Sequence, residues 1–168
     1  MAAPSASRSS TPPSTKRLLH ELRLHSQDPS ATLDTLLHLG PVSDSQILHW
    51  EAVLKGVSGT PYAGGLWKLD IRIPEDYPMR PPEVRFVTPV CHPNVNFKTG
   101  EICLDLLKDS WTPAYMIAQT LASVQQLLTD PEPESPLNVD LATLLRSGDQ
   151  VGAESLVRYY TQEYRWNG

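Results

Sequence analysis

Hydrophobic and polar side chains alternate strictly between residues 66 and 73. Trp67, Leu69, Ile71 and Ile73 fall on one parity, and Lys68, Asp70 and Arg72 on the other. A period of two is that of a strand with one buried face. Residues 47 to 54 carry the same signature through Leu48, Trp50, Ala52 and Leu54. Thr32 to Leu39, with Leu33, Leu36, Leu37 and Leu39, precedes them as another β-rich run, and Glu83 to Val87 follows as a short one. Thr60-Pro61-Tyr62-Ala63-Gly64-Gly65 reads as a turn, and Pro78, Pro81 and Pro82 break the chain again. Consecutive strands with tight connections predict a four-stranded antiparallel meander.

Helical spacing takes over on either side. Leu18, Leu19 and Leu22 share one face of an opening helix that runs from Thr15 to about Ser26 and is stopped by Asp28-Pro29. Ile117, Leu121, Val124, Leu127 and Leu128 mark a firm central helix ended by Asp130-Pro131. Thr112 has the character of its N-cap, with Pro113 at the first helical position. Asp140 to Arg146 and Gly152 to Arg165 read as two closing helices separated by Ser147-Gly148-Asp149. Pro89 to Thr112 shows little regular pattern, and a long irregular segment inside a compact domain is often functional. Residues 1–14 are Ser, Pro, Thr and Ala with no apolar period, the composition of a disordered tail. A single α+β core is therefore expected over residues 15–168.

Composition narrows the function. The chain has 168 residues, 40% of them hydrophobic, enough for one domain with a real core. A net charge of −5 without a long basic run argues against a nucleic-acid surface. No run is apolar and long enough to span a bilayer, and the first residues lack the apolar core of a secretory signal. Two cysteines cannot build a disulfide framework, which points to a reducing compartment such as the cytoplasm.

One of those cysteines, Cys103, lies well inside the irregular segment, and Cys91 lies near its start. The order is His92-Pro93-Asn94, then Gly100-Glu101-Ile102-Cys103-Leu104-Asp105, then Trp111-Thr112-Pro113-Ala114. A thiol among turn and polar residues invites a nucleophile reading. A free cysteine is also a small buried hydrophobe in many proteins, and spacing alone leaves both readings open. A zinc site built on Cys91, His92 and Cys103 is disfavoured. Adjacent Cys91 and His92 point in different directions, and no second ligand pair exists.

With these segments in place, the chain resembles the ubiquitin-conjugating (E2) enzymes. The resemblance is carried by His49-Trp50, Pro61-Tyr62-Ala63-Gly64-Gly65, Tyr77-Pro78-Met79-Arg80-Pro81-Pro82, the His-Pro-Asn and Cys103 stretches, Trp111-Thr112-Pro113-Ala114 and Pro136-Leu137. It implies the E2 (UBC) fold: an N-terminal helix, a four-stranded antiparallel meander, an active-site loop, a central helix and two C-terminal helices. A narrower likeness, to the fungal peroxisomal branch of the peroxin-4 type, rests on residues 91–96, 135–140, 144–149 and 156–160.

The resemblance implies that Cys103 accepts ubiquitin from the activating enzyme E1 as a thioester. A RING-type ligase would then help pass it to a lysine or cysteine. A thiolate is both a strong nucleophile and a good leaving group, which suits a carrier. Asn94 has two open roles: stabilising the oxyanion, or bracing the loop. His92, Pro93, Leu104, Asp105 and Trp111 are expected to be local support. Many relatives place an aspartate before the Pro-Leu that follows the central helix, where it helps an incoming lysine. This chain has Ser135, preceded by Glu134. Either Glu134 takes over, or a cysteine acceptor, which needs less help, is favoured.

Partner surfaces carry over as well. Lys16 and Arg17 match the helix that meets E1, with a solvated helix face as the alternative. Met79, Pro113 and Ala114 match the loops that hold a ligase, with partial burial as the alternative for Met79. The closing helices are expected to dock a peroxisomal membrane anchor peroxin, unless Leu156, Val157 and Tyr160 are simply core. No cofactor is implied, since ATP is used by E1. The branch implies recruitment to the cytosolic face of the peroxisomal membrane and import receptors as substrates. Rival readings are an E2 for another ubiquitin-like modifier, or a catalytically silent ubiquitin-binding scaffold.

Overall fold

The alternation of β-rich segments becomes one antiparallel sheet of strand order β1-β2-β3-β4 in the computed structural model, which describes residues 11–28 and 33–168. The strands are β1 Leu36–Pro41, β2 His49–Lys55, β3 Leu66–Arg72 and β4 Glu83–Phe86. Around them lie the helices α1 Pro13–Gln27, α2 Ile117–Thr129, α3 Val139–Arg146 and α4 Gln150–Glu163.

The parity read from the sequence is the parity of burial, except that Val53 of β2 is buried on the other parity. Trp50, Ala52 and Leu54 of β2 and Trp67, Leu69 and Ile71 of β3 belong to the core, which also takes in Leu18 of α1 and Ile117, Leu121, Val124 and Leu128 of α2. The opposite face carries charge. Glu51 and Asp70 stand directly opposite each other, an unfavourable pairing taken alone. Each is satisfied by other neighbours: Glu51 by Lys68 at 2.7 Å, and Asp70 by His49 at 2.5 Å and Arg72 at 2.9 Å.

Several boundaries differ from the sequence reading, each for a local reason. β1 begins at Leu36 because the Leu36 amide closes a turn onto the Leu33 carbonyl at 3.1 Å. Thr32 lies outside the described residues, as do residues 1–10 of the expected tail. Pro13 and Ser14 of that tail already belong to α1. On α1, Leu19 is exposed rather than core-facing, and Glu21 occupies a buried position instead. The closing helices start earlier than read, at Val139 and Gln150, with Asn138 and Asp149 as side-chain caps.

The largest correction concerns the start of α2. Thr112 and Pro113 do not cap it; the Thr112 carbonyl accepts the Tyr115 amide at 3.1 Å in a separate turn. The helix begins at Ile117, whose amide donates to the Glu21 carboxylate at 2.8 Å. Locally, the Gln119 side chain accepts the Met116 amide at 3.0 Å, but the cap on Ile117 comes from another helix.

Candidate active site

Residues 89 to 112 remain mostly irregular, as the lack of period requires, but they are closely tied. A hairpin-like excursion joins Asn94 to Cys103. Val95 bridges Ile102, the Asn96 amide donates to the Glu101 carbonyl at 2.9 Å, and the Gly100 amide donates to the Asn96 carbonyl at 2.8 Å. Gly100 sits at φ 71°, and a Cβ there would collide with the Phe86 carbonyl. Only glycine fits that approach to β4. The excursion ends with the Cys103 amide donating to the Asn94 carbonyl at 2.8 Å, and Cys103 itself is half-buried. Leu104, also half-buried, then leads into a single 3-10 turn, Asp105–Leu107. The exposed Asp105 closes that turn through its carbonyl, which accepts the amides of Lys108 and Ser110.

His92 is fully buried and has both ring nitrogens engaged. Nε2 lies 2.7 Å from the Leu127 carbonyl, which can only accept, so Nε2 carries the proton. Nδ1 accepts the Asn94 amide at 3.0 Å. Burial pushes the imidazole down to about 4, against the opposing pull of the Leu127 bond. A neutral, sealed ring holds the loop and is not placed to move a substrate proton.

This has a consequence for pH. The unfolded imidazole binds its proton near 6.5 and the folded one near 4. The unfolded state therefore holds more protons between those values, and stability falls as pH drops through that window. The loss is expected to reach about 3 kcal/mol at pH 4. Urea unfolding of the wild type and His92→Gln across pH 4 to 7 checks it. The variant should show a shallower decline, and parallel curves would rule out a neutral buried His92.

Asn94 is also fully buried, and its side chain is committed. Nδ2 donates to the carbonyls of Glu132 at 2.7 Å and Ser135 at 3.0 Å, and Oδ1 accepts the Glu132 amide at 2.8 Å. Pro93 continues the seam, its carbonyl accepting the amides of Leu137 and Asn138. The structure thus brings together Cys103, Asn94 and the segment of Glu134 and Ser135. Both of these are exposed.

The second cysteine differs sharply. Cys91 is 3% exposed, and burial pushes its thiol up to about 11.

The expected partner residues come from α1 and from the turns before β4 and α2. Met79 is 70% exposed, which removes partial burial as its explanation, and Pro113 and Ala114 are exposed too. Lys16 is exposed, whereas Arg17 is half-buried and bonded, donating to Glu21 at 2.7 Å and to the Tyr115 carbonyl at 2.9 Å. Sequence reasoning missed Glu21. Its one signal was an acidic residue seven positions after Ser14 and three after Leu18, on the buried side of α1.

A family model described as ubiquitin-conjugating enzyme matches residues 17–161. The chain belongs to the ubiquitin-conjugating enzyme family. This E2 is 47% identical over 149 residues to a Gibberella zeae protein named ubiquitin-conjugating enzyme E2 PEX4, spanning 88% of this chain and 86% of that one. It is 50% identical over 119 residues to peroxin-4 of Arabidopsis thaliana, spanning 71% of this chain and 76% of that one. Among solved structures it resembles the H. polymorpha E2 Pex4p, crystallised in complex with the soluble domain of Pex22p. The TM-score is 0.86 and the identity 36%, covering 92% of this chain and all of that one. The helix–meander–loop–helix order of the E2 fold is the one described above.

Proposed function

We propose that this E2 accepts ubiquitin from E1 as a thioester on Cys103 and passes it, with a RING-type ligase, to a lysine or cysteine of a substrate. One observation carries the choice of residue. Of the two thiols, Cys103 is partly open to solvent on a fixed backbone, while Cys91 is sealed and at pH 7 only about one in 10⁴ of its thiols would be ionised. Asn94 serves as a brace that connects the carrier loop to the 132–135 segment, since its donors and acceptor are already engaged there.

The likeness to peroxin-4 proteins supports a role in the modification of peroxisomal import receptors at the cytosolic face of that membrane. The H. polymorpha relative was solved with a partner domain, which supports docking of an anchor peroxin here. Val157 is core and Leu156 and Tyr160 are half-buried, so the anchor surface is assigned instead to the outer side of α4, where Val151 and Tyr159 are exposed. Among the described residues no helix is long and apolar enough to cross a membrane.

The missing aspartate favours a thiol acceptor. At pH 7.5 about one in ten free cysteines is a thiolate, against about one in a thousand lysines unprotonated. Discharge of the charged protein onto free cysteine is expected to exceed discharge onto free lysine by about tenfold or more. Lysine discharge of equal rate, abolished by Glu134→Gln, would instead give Glu134 the role of the absent aspartate.

A further inference from the structure

The buried Glu21 belongs to a closed circuit of contacts that meets the active-site segment only at its far end, through Trp111. Its Oε1 accepts from Arg17 Nε at 2.7 Å and from the Tyr77 hydroxyl at 2.6 Å, and its Oε2 accepts the Ile117 amide at 2.8 Å. Tyr77 precedes Pro78, whose carbonyl accepts the Trp111 indole at 2.8 Å. Trp111 packs between Tyr77 and Tyr115, with ring centroids 6.0 Å and 5.9 Å away. The Tyr115 carbonyl accepts from Arg17 Nη2 at 2.9 Å, which returns the circuit to Glu21.

The exposed residues of both ligase-facing loops hang from this circuit. Met79 follows Pro78 directly, and Pro113 and Ala114 lie between Trp111 and Tyr115. A carboxylate that accepts three hydrogen bonds in a buried site sets geometry more firmly than neutral pairs do.

We propose that Glu21 is a positioning residue for ligase-assisted transfer, fixing the spacing of the Met79 loop against the Pro113-Ala114 loop through Tyr77 and Arg17. This rests on the reading that those loops hold the ligase. The circuit touches neither Cys103 nor Asn94, so it acts on ligase engagement and leaves the thiol chemistry alone. It also makes Arg17 more than a solvated contact for E1, because the same side chain is an internal tie.

The test uses the full chain as wild type, Tyr77→Phe, Glu21→Gln and Met79→Ala. The probe is an isolated RING domain chosen because it accelerates discharge by the wild type. Tyr77→Phe keeps the buried carboxylate and removes one donor, so it serves if Glu21→Gln does not fold. The expected result is that both variants charge from E1 and discharge unaided within about twofold of wild type. The RING concentration for half-maximal stimulation should rise about tenfold in Glu21→Gln and about threefold in Tyr77→Phe, with the maximal stimulated rate kept. Unchanged stimulation in Tyr77→Phe, while Met79→Ala loses it, would overturn the inference and leave the ligase reading intact. Charging and unaided discharge that fall as much as stimulated discharge would make Glu21 a fold-holding residue only. Full stimulation in Met79→Ala would remove the ligase reading, and the inference with it.

Discussion

Replacing Asn94 with alanine is expected to cost about 3 kcal/mol of stability and to slow transfer from Cys103 by about a hundredfold. The stability loss follows from the count of partners. Two carbonyls, Glu132 and Ser135, lose their donor, and the Glu132 amide loses its acceptor. A buried volume is left empty as well. The effect on transfer is indirect. Asn94 contacts the Cys103 amide through its own carbonyl, which alanine retains, so the cysteine's backbone tie survives. What is released is the wall beside it, the segment with Glu134 and Ser135. Urea unfolding, hydrogen exchange at the Glu132 amide and single-turnover discharge measure the three parts. Slower discharge with unchanged stability and unchanged Glu132 protection would mean that the amide acts on the reacting carbonyl and is no brace.

Much of the fold was legible because its signals are local. The alternation at residues 66–73 is a property of adjacent side chains, and it gives β3 within one residue at its far end. The spacing of Ile117, Leu121, Val124 and Leu128 likewise marks α2 without outside help. The errors arise where a distant group decides. Thr112-Pro113 has the composition of a helix start, but the first amide of α2 is claimed by Glu21, 96 positions away in sequence. Nothing within a few residues of Thr112 records that claim.

The site shows the same division. The thiol and the His-Pro-Asn stretch were visible as residue types in order. What the Asn94 side chain binds was not, because its partners lie 38 and 41 positions further on. The difference in burial between Cys91 and Cys103 was equally hidden, since the sequence places both among similar turn residues. Met79 stood between two readings until its exposure was known.

Cys103 is proposed to carry ubiquitin, and a single substitution separates the two thiols. Cys103→Ala removes a half-buried side chain that is outside the core cluster, so the fold should survive with little cost. Cys91 is not expected to substitute, since its side chain is almost wholly buried and that burial holds its thiol up. The loss of charging should therefore be complete, with no residual slow route. The measurement is charging with E1, ubiquitin and ATP, resolved on a non-reducing gel beside a circular-dichroism spectrum of each protein. A carrier role for Cys103 predicts a band of one added ubiquitin in the wild type that disappears on reduction, and no such band in a folded Cys103→Ala. A reducible band that persists in Cys103→Ala, or its absence from a folded wild type, would contradict it.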